Sequence, residues 1–558
     1  MSTNENTFYI GLCMAGAISA GAYTAGVMDY LIEALDEWEK RRGQEDVPTH
    51  RVVIPVMGGS SAGGMTAIMA AGALNDPITP VKSLDQNNIY QRLPWNKFYH
   101  SWVDLKQDDM FPLMLSNSDI RNNKVMSLLN SDFIDEIASR VVKVSGQRID
   151  RPYIDTFLKL FVTLTNLEGF SYNVAFRADN PTGNKYFLEK HNDYACFIWD
   201  ELNCVTPKNG WIPLSFSTGL NTDIARDAAM ATGAFPIGLK ARQVVRNAHD
   251  INSNPWISHV PYQPFATKSP WTSLNIDGGL INNEPFELVR MVLNSITNEG
   301  KTLPDSRQRD YQRYETFRST ILMIDPFPSE KSQHKTDDSL MGVTKATLKA
   351  MMGQLRIKPE YMINAMDSDD SGQYIIAPKR RFPGLQNLDK EAVQGSEAIA
   401  CGSLGGFGGF LSKEFRIHDF FLGRANCEQF LRYHFNVPVE ANNKIISSGY
   451  KEVRKLDDFL VKGKKMSLPI IPLFSKATQA PYMPVFSCRG DWPRIREADI
   501  ERYRKDIRKR IGKIIPNLFP KYKTLLTIAG CLGVNCWLAG KVTTAMKKQI
   551  EGHRLLRS

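Results

Sequence analysis

Apolar positions follow two rhythms over the first part of the chain. Residues 7–13 (TFYIGLC) are an unbroken apolar run ending in small residues, the pattern of a buried strand. Residues 22–42 (AYTAGVMDYLIEALDEWEKRR) place Val27, Tyr30, Leu31, Leu35 and Trp38 at three- and four-residue spacing, which predicts a helix with one buried face. A second strand is expected at 51–57 (RVVIPVM) and a second helix at 62–74, with a glycine-rich turn between them. Strand, helix, strand, helix predicts an α/β fold with a mainly parallel sheet.

The rhythm then loosens. Residues 76–157 are rich in Asn, Asp, Trp and Pro and read as an insertion of short helices. Strands return at 158–167, at 273–276 (SLNI, cut off by DGG) and at 320–325, with a short helix at 223–232 ending in GAFP. The catalytic α/β domain is expected to close near residue 330. Residues 331–500, with a helical stretch at 339–355 and a glycine run at 402–409, lack a linker and are expected to pack on the core, as a candidate lid. Residues 501–558 complete a mostly helical C-terminal region.

Composition changes this picture in two places. Hydrophobic residues make up 42% and charged residues 23%, which places the chain among globular proteins. The eight cysteines are scattered without metal-ligand spacing and read as reduced thiols. The N-terminus lacks the basic and apolar segments of a signal peptide, so a cytoplasmic chain is expected, peripheral at the inner membrane face. The net charge of +10 is concentrated in residues 501–558, which hold 14 Lys/Arg and 3 Asp/Glu. This tail is expected to meet an anionic membrane surface; no nucleic-acid motif accompanies it. Its uncharged stretch at 524–540 is short for a membrane span and reads as a buried or interfacial helix.

Three segments carry candidate chemistry. Gly59-Ser60-Ser61-Ala62-Gly63 has the G-x-S-x-G register, with a strand before it and a helix after it. A serine on so sharp a turn projects its hydroxyl above the sheet edge, where the helix N-terminus favours developing negative charge. Asp277, followed by Gly278 and Gly279, ends a strand expected at the C-terminal rim of the parallel sheet, within reach of Ser61 as a general base. The small-residue turn Gly16-Ala17-Ile18-Ser19-Ala20-Gly21 offers backbone amides to an oxyanion. Each segment alone also fits a bland reading: a packing turn, an Asp-Gly turn, a turn without a ligand.

In this order the three resemble the patatin-like phospholipases, lipid acyl hydrolases that use a Ser–Asp dyad. The resemblance covers about residues 7–330. It implies a three-layer α/β/α fold, Ser61 as nucleophile, Asp277 as base, and Gly59, Gly63, Gly278, Gly279 and Asn283 as motif-supporting residues. It implies an oxyanion hole from Gly16, Ala17, Ile18 and Ala62, a membrane phospholipid or other lipid ester as substrate, and no metal or cofactor. Ala228–Pro236 resembles the family's small-residue segment ending in proline. One departure stands out: the family's loop is usually G-G-G-x-[RK]-G, whereas this chain has Ile18 for the third glycine and Ala20 for the basic residue.

Rival readings remain. A serine thioesterase or soluble-ester hydrolase would use the same residues, and a non-catalytic membrane- or assembly-binding protein fits the altered loop. His418, beside Asp419, is the histidine in the most suggestive context for a triad, though a structural role fits it better; Arg424 is a candidate to cap the site mouth or hold a lid. The 402–409 run lacks the G-K-[ST] ending of a phosphate loop and reads as a flexible loop. Homo-oligomerisation is open.

Overall fold

The computed structural model describes residues 6–557 except 86–87, 90, 92, 145–148, 176–184, 207–208, 258–267, 298–313, 329–337, 340–341, 344–345, 348–349, 351–372, 381–392, 464, 476–480, 487–489 and 491. The helix expected at 339–355 lies largely outside the described residues.

The first half alternates as its patterning predicts: β1 (Thr7–Met14), α1 (Gly21–Arg41), β2 (Arg51–Gly59) and α2 (Ser61–Leu74). After short helices in the insertion come α3 (Asp132–Val141), the long hairpin of β3 (Ile154–Ala175) and β4 (Lys185–Trp199), and β5 (Trp211–Leu214). Then follow α4 (Thr222–Thr232), β6 (Arg242–Arg246), β7 (Trp271–Asp277), α5 (Phe286–Thr297), β8 (Ser319–Ile324) and β9 (Gln373–Ile376). The C-terminal region contributes α6 (Lys413–Tyr433), α7 (Tyr503–Leu518) and α8 (Asn535–Gly552).

Among the described residues the sheet has nine strands, with β5-β4-β3-β2-β1-β8-β9 as its main path and β7 joined to β3 and β6. β3, β2, β1, β8 and β9 run parallel to one another, while β4 and β7 are antiparallel to β3. Helices cover both faces, and β1 gives the reason. Phe8, Ile10, Leu12 and Met14 face the larger core, with the buried faces of α1 and α2. Tyr9 and Cys13 face the other, with Leu288, Val289, Val292 and Leu293 of α5. Period-two side chains, apolar on both faces, make β1 a strand buried between two helix layers.

Three expectations need correction. The sheet does not end near residue 330, because β9 adds to it beside β8. The strand ending at Asp277 is antiparallel to its neighbours, not part of the parallel set. Of the two readings of 524–540, buried or interfacial, the buried one fails: Leu525 is 64% and Leu532 82% exposed.

The C-terminal region is built into the core. α6 lies directly against α1: a Cβ on Gly26 would come 1.9 Å from the Phe420 carbonyl oxygen, and one on Gly423 2.2 Å from that of Tyr23. Two glycines let the backbones touch. Beside this crossing Arg424 pairs with Asp29 and, at 2.6 Å, with Glu33. Arg424 therefore clamps two helices and does not cap the site mouth. The seven cysteines among the described residues are free thiols.

Candidate active site

β2 ends in extended backbone at Ser60, and α2 begins at once with Ser61 at φ +50°. A non-glycine residue in the left-handed region stores strain, and the surroundings must hold it there. Here the Ser61 N–H donates to Thr232 Oγ1 at 2.8 Å, at the end of α4. That amide is therefore engaged, which leaves Ala62 as the α2 residue placed to supply an oxyanion donor. Of the two serines only Ser61 is engaged at the dyad; the buried Ser60 Oγ has no hydrogen-bond partner.

Asp277 arrives from the opposite direction. β2 pairs with β3 as far as Gly59–Val162, and β7 pairs with β3 at Leu164–Asp277. β4 occupies the other edge of β3 at these positions, so β2 and β7 share one edge and meet end to end. The meeting brings Ser61 Oγ to 2.6 Å from Asp277 Oδ2, to which it donates. The other carboxylate oxygen accepts the Gly279 N–H at 2.7 Å. Thr165 Oγ1 donates to the Asp277 carbonyl at 2.8 Å, and the Asp277 N–H donates to the Ala234 carbonyl at 3.0 Å. Position and rotation of the carboxylate are both fixed. Gly278 packs against the Thr163 backbone of the same strand.

The Gly16–Gly21 loop passes over this pair. A Cβ on Gly16 would lie 2.8 Å from Ser61 Cβ and 2.3 Å from Asn283 Oδ1, so glycine is required for the close approach. Ile18 takes φ +48°, again left-handed and, for a β-branched residue, costly by about 1–2 kcal/mol. The 402–409 run holds it down. Ser19 Oγ accepts the Gly409 N–H at 3.0 Å and donates to the Gly406 carbonyl, and Gly406 packs against the Ile18 side chain. The run expected as a flexible loop is thus largely buried and hydrogen-bonded. Arg416, fully buried on α6, secures it further by donating to the carbonyls of Gly409 (2.6 Å), Val103 (2.9 Å) and Gln107 (3.1 Å). Burial lowers its pKa to about 10, so it stays charged at neutral pH.

Ser61 opens onto two chambers, and Ile18 lines both. One is a narrow apolar pocket of about 80 Å³ that runs under α2 and α3, among Met65, Met69, Trp102, Phe133, Ile137 and Met230. The other is a wider vestibule of about 530 Å³ that holds Gly16, Ala17, Asp277, Gly279 and Asn283. Two further vestibule residues, Gln549 and His553, come from the C-terminal end of the chain.

A strained serine joined to a carboxylate, beside an apolar pocket, is the arrangement of an acyl-transfer site. Comparison with known proteins gives the family. The patatin-like phospholipase family model matches residues 12–290, a span containing both Ser61 and Asp277. The chain belongs to the patatin-like phospholipase family. It is 31% identical to the uncharacterized protein y4iI of Sinorhizobium fredii (strain NBRC 101917 / NGR234), over 86% of this chain and 72% of that one. VipD from Legionella pneumophila aligns over 94% of this chain and 88% of that structure at 13% identity, with a TM-score of 0.18, too low to carry an argument.

Within this patatin-like frame the other candidates are structural. His418 is fully buried, its Nδ1 2.7 Å from Asp419 Oδ1 and its ring 4.8 Å from that of Trp492. Asp419 in turn accepts the N–H groups of Ala400 and Cys401. The pair braces the start of the glycine run. Thr232, Ser19 and Arg416 escape a sequence reading. Thr232 does lie within the segment resembling the family's small-residue stretch, but Ser19, and Arg416 through Val103 and Gln107, act on backbone groups hundreds of residues away.

Proposed function

We propose that the chain is a lipid acyl hydrolase of phospholipase A type, cleaving a fatty-acyl ester through an acyl-enzyme. The observation that carries this reading is the 2.6 Å hydrogen bond from Ser61 Oγ to Asp277 at the mouth of an apolar pocket. Ser61 Oγ attacks the acyl carbonyl carbon as its proton passes to Asp277. The oxyanion is held by the amides of Ala17, Ile18 and Ala62. Collapse expels the alcohol, which takes the proton from Asp277. Water, deprotonated by Asp277, then attacks the acyl–serine ester; the fatty acid leaves as Ser61 Oγ takes that proton back from Asp277. The apolar pocket suits the acyl chain and the vestibule suits the head group.

The test is labelling with a fluorophosphonate, wild type beside Ser61→Ala and Asp277→Asn. Wild type should label, Ser61→Ala should not, and Asp277→Asn should label at least about a hundredfold more slowly. Wild type that stays unlabelled, or Ser61→Ala that labels equally, removes the mechanism. Phospholipid vesicles compared with soluble esters and acyl thioesters then separate a lipase from the thioesterase and soluble-ester readings.

A further inference from the structure

The last fifty residues carry a feature that the dyad does not use. α7 and α8 pack side by side, and their bases are fixed to the core. Arg510 is buried in a pair with Asp119 (2.8 Å for Nη2–Oδ2) and donates to the Leu128 carbonyl at 2.9 Å. Ala539, Met546 and Ile550 of α8 are buried in the core. Gly512 of α7 lies opposite Asn535 of α8, so residues 513–534 form a tip beyond the paired helices.

Beyond the buried Ile514 and Pro516, that tip is apolar and largely bare. Leu518, Phe519, Tyr522, Leu525, Ile528 and Leu532 are each more than half exposed. Only 11% of the most apolar window of the helical stretch Pro520–Gly552 is buried. Charge surrounds the tip on one side of the ledger alone: from Ile507 to Ile550 there is no Asp or Glu, while Lys513, Lys521, Lys523 and Lys541 are exposed. Trp537, 62% exposed with Lys541 over its ring at 5.8 Å, stands at the tip's base.

We infer that the 513–534 tip inserts into the interface of an anionic bilayer and docks the vestibule against it. Exposed apolar side chains ringed by lysines, with Trp and Tyr at the boundary, suit an acyl layer below and negative head groups around it. A second copy fits poorly, because two acid-free tips would set like charges against each other. α8 links tip and site: Gln549 lies 14 residues beyond Asn535, about 21 Å along the helix, and lines the vestibule with His553. The chain folds back at 519–522 between α7 and the next helix, so the tip dips into the membrane surface and does not cross it.

The experiment is co-sedimentation of the full chain with phosphatidylcholine vesicles, with and without phosphatidylglycerol. Wild type should sediment with the anionic vesicles, more weakly with the neutral ones, and less as salt rises. Leu525→Glu/Leu532→Glu should weaken binding at least about tenfold. Lys521→Glu/Lys523→Glu should lose most of the preference for anionic vesicles, about fivefold per cation. Both variants should retain wild-type hydrolysis of a soluble ester and wild-type melting, which excludes misfolding. Ser61→Ala should bind vesicles normally, so docking and catalysis can fail separately. Wild type that ignores anionic vesicles, or a leucine variant that binds as wild type does, overturns the inference. So does a wild-type dimer that the leucine variant splits and that does not sediment.

Discussion

At the scale of single residues, the site depends on side chains that hold strained backbone. Thr232 accepts the Ser61 N–H in a buried setting. Thr232→Val keeps the shape but removes the acceptor, at about 1–3 kcal/mol for a buried unsatisfied donor. The strained elbow then relaxes, and fluorophosphonate labelling should slow about 10- to 100-fold. Thr232→Ser, which keeps the oxygen, should restore most of the rate; equal loss in both variants would mean that the methyl packing matters instead. His50 makes a different prediction. It is buried between the end of α1 and the C-terminal region, Nε2 donating to the Ile470 carbonyl at 2.8 Å and Nδ1 without a partner. Burial lowers its pKa from 6.5 to about 4. Between those values the unfolded chain takes up a proton that the folded chain refuses. Stability is therefore lost as pH falls through this window, by about 3 kcal/mol from this group. Urea melts of wild type and His50→Gln across the window should converge as pH falls, because glutamine has no such proton to bind.

At the scale of elements, the α1–α6 crossing governs stability. Asp29 is fully buried, accepting from Asn96 at 2.7 Å and Val81 at 3.2 Å besides Arg424. Burial pushes its pKa up and Arg424 pulls it back. Arg424→Ala leaves a buried carboxylate without its counter-charge, at about 3–5 kcal/mol. Protonation of Asp29 relieves part of that, so thermal melts of the variant should recover toward wild type as pH is lowered. The local parts of this architecture were legible in the chain. β1, α1, β2 and α2 have strong periodicity, and a nucleophile elbow needs its strand, its small residues and its helix within one short stretch. The direction of β7 was not legible, because four alternating residues read the same from either end. Nor were the contacts of Gly26 with Phe420 and of Gly423 with Tyr23, since a glycine within a helix gives no hint of a partner backbone nearly 400 residues away.

At the scale of the molecule, residues beyond 330 do two separable jobs. One part completes the core: β9 extends the sheet, α6 covers α1, the glycine run fastens the Gly16–Gly21 loop, and Phe435 packs edge-on to Phe8 with ring centres 6.4 Å apart. A chain ending at residue 330 would expose the apolar face of α1, strip the counter-charge from Asp29 and free Ile18 to leave its strained backbone. It should be insoluble, or cleaved by trypsin throughout 1–330, and should show no cooperative melt; a folded, active fragment would return the C-terminal region to the standing of a removable lid. The tip behaves oppositely. Apart from Ile514 and Pro516, its apolar residues are largely exposed, so folding gains little from them. Because Gly512 already faces Asn535, replacing 513–534 by a short Gly/Ser turn joins α7 to α8 where they touch. That variant should melt within a few degrees of wild type and label with fluorophosphonate at the wild-type rate. A large loss of melting temperature would mean that the tip is folded against the protein rather than left free for a surface.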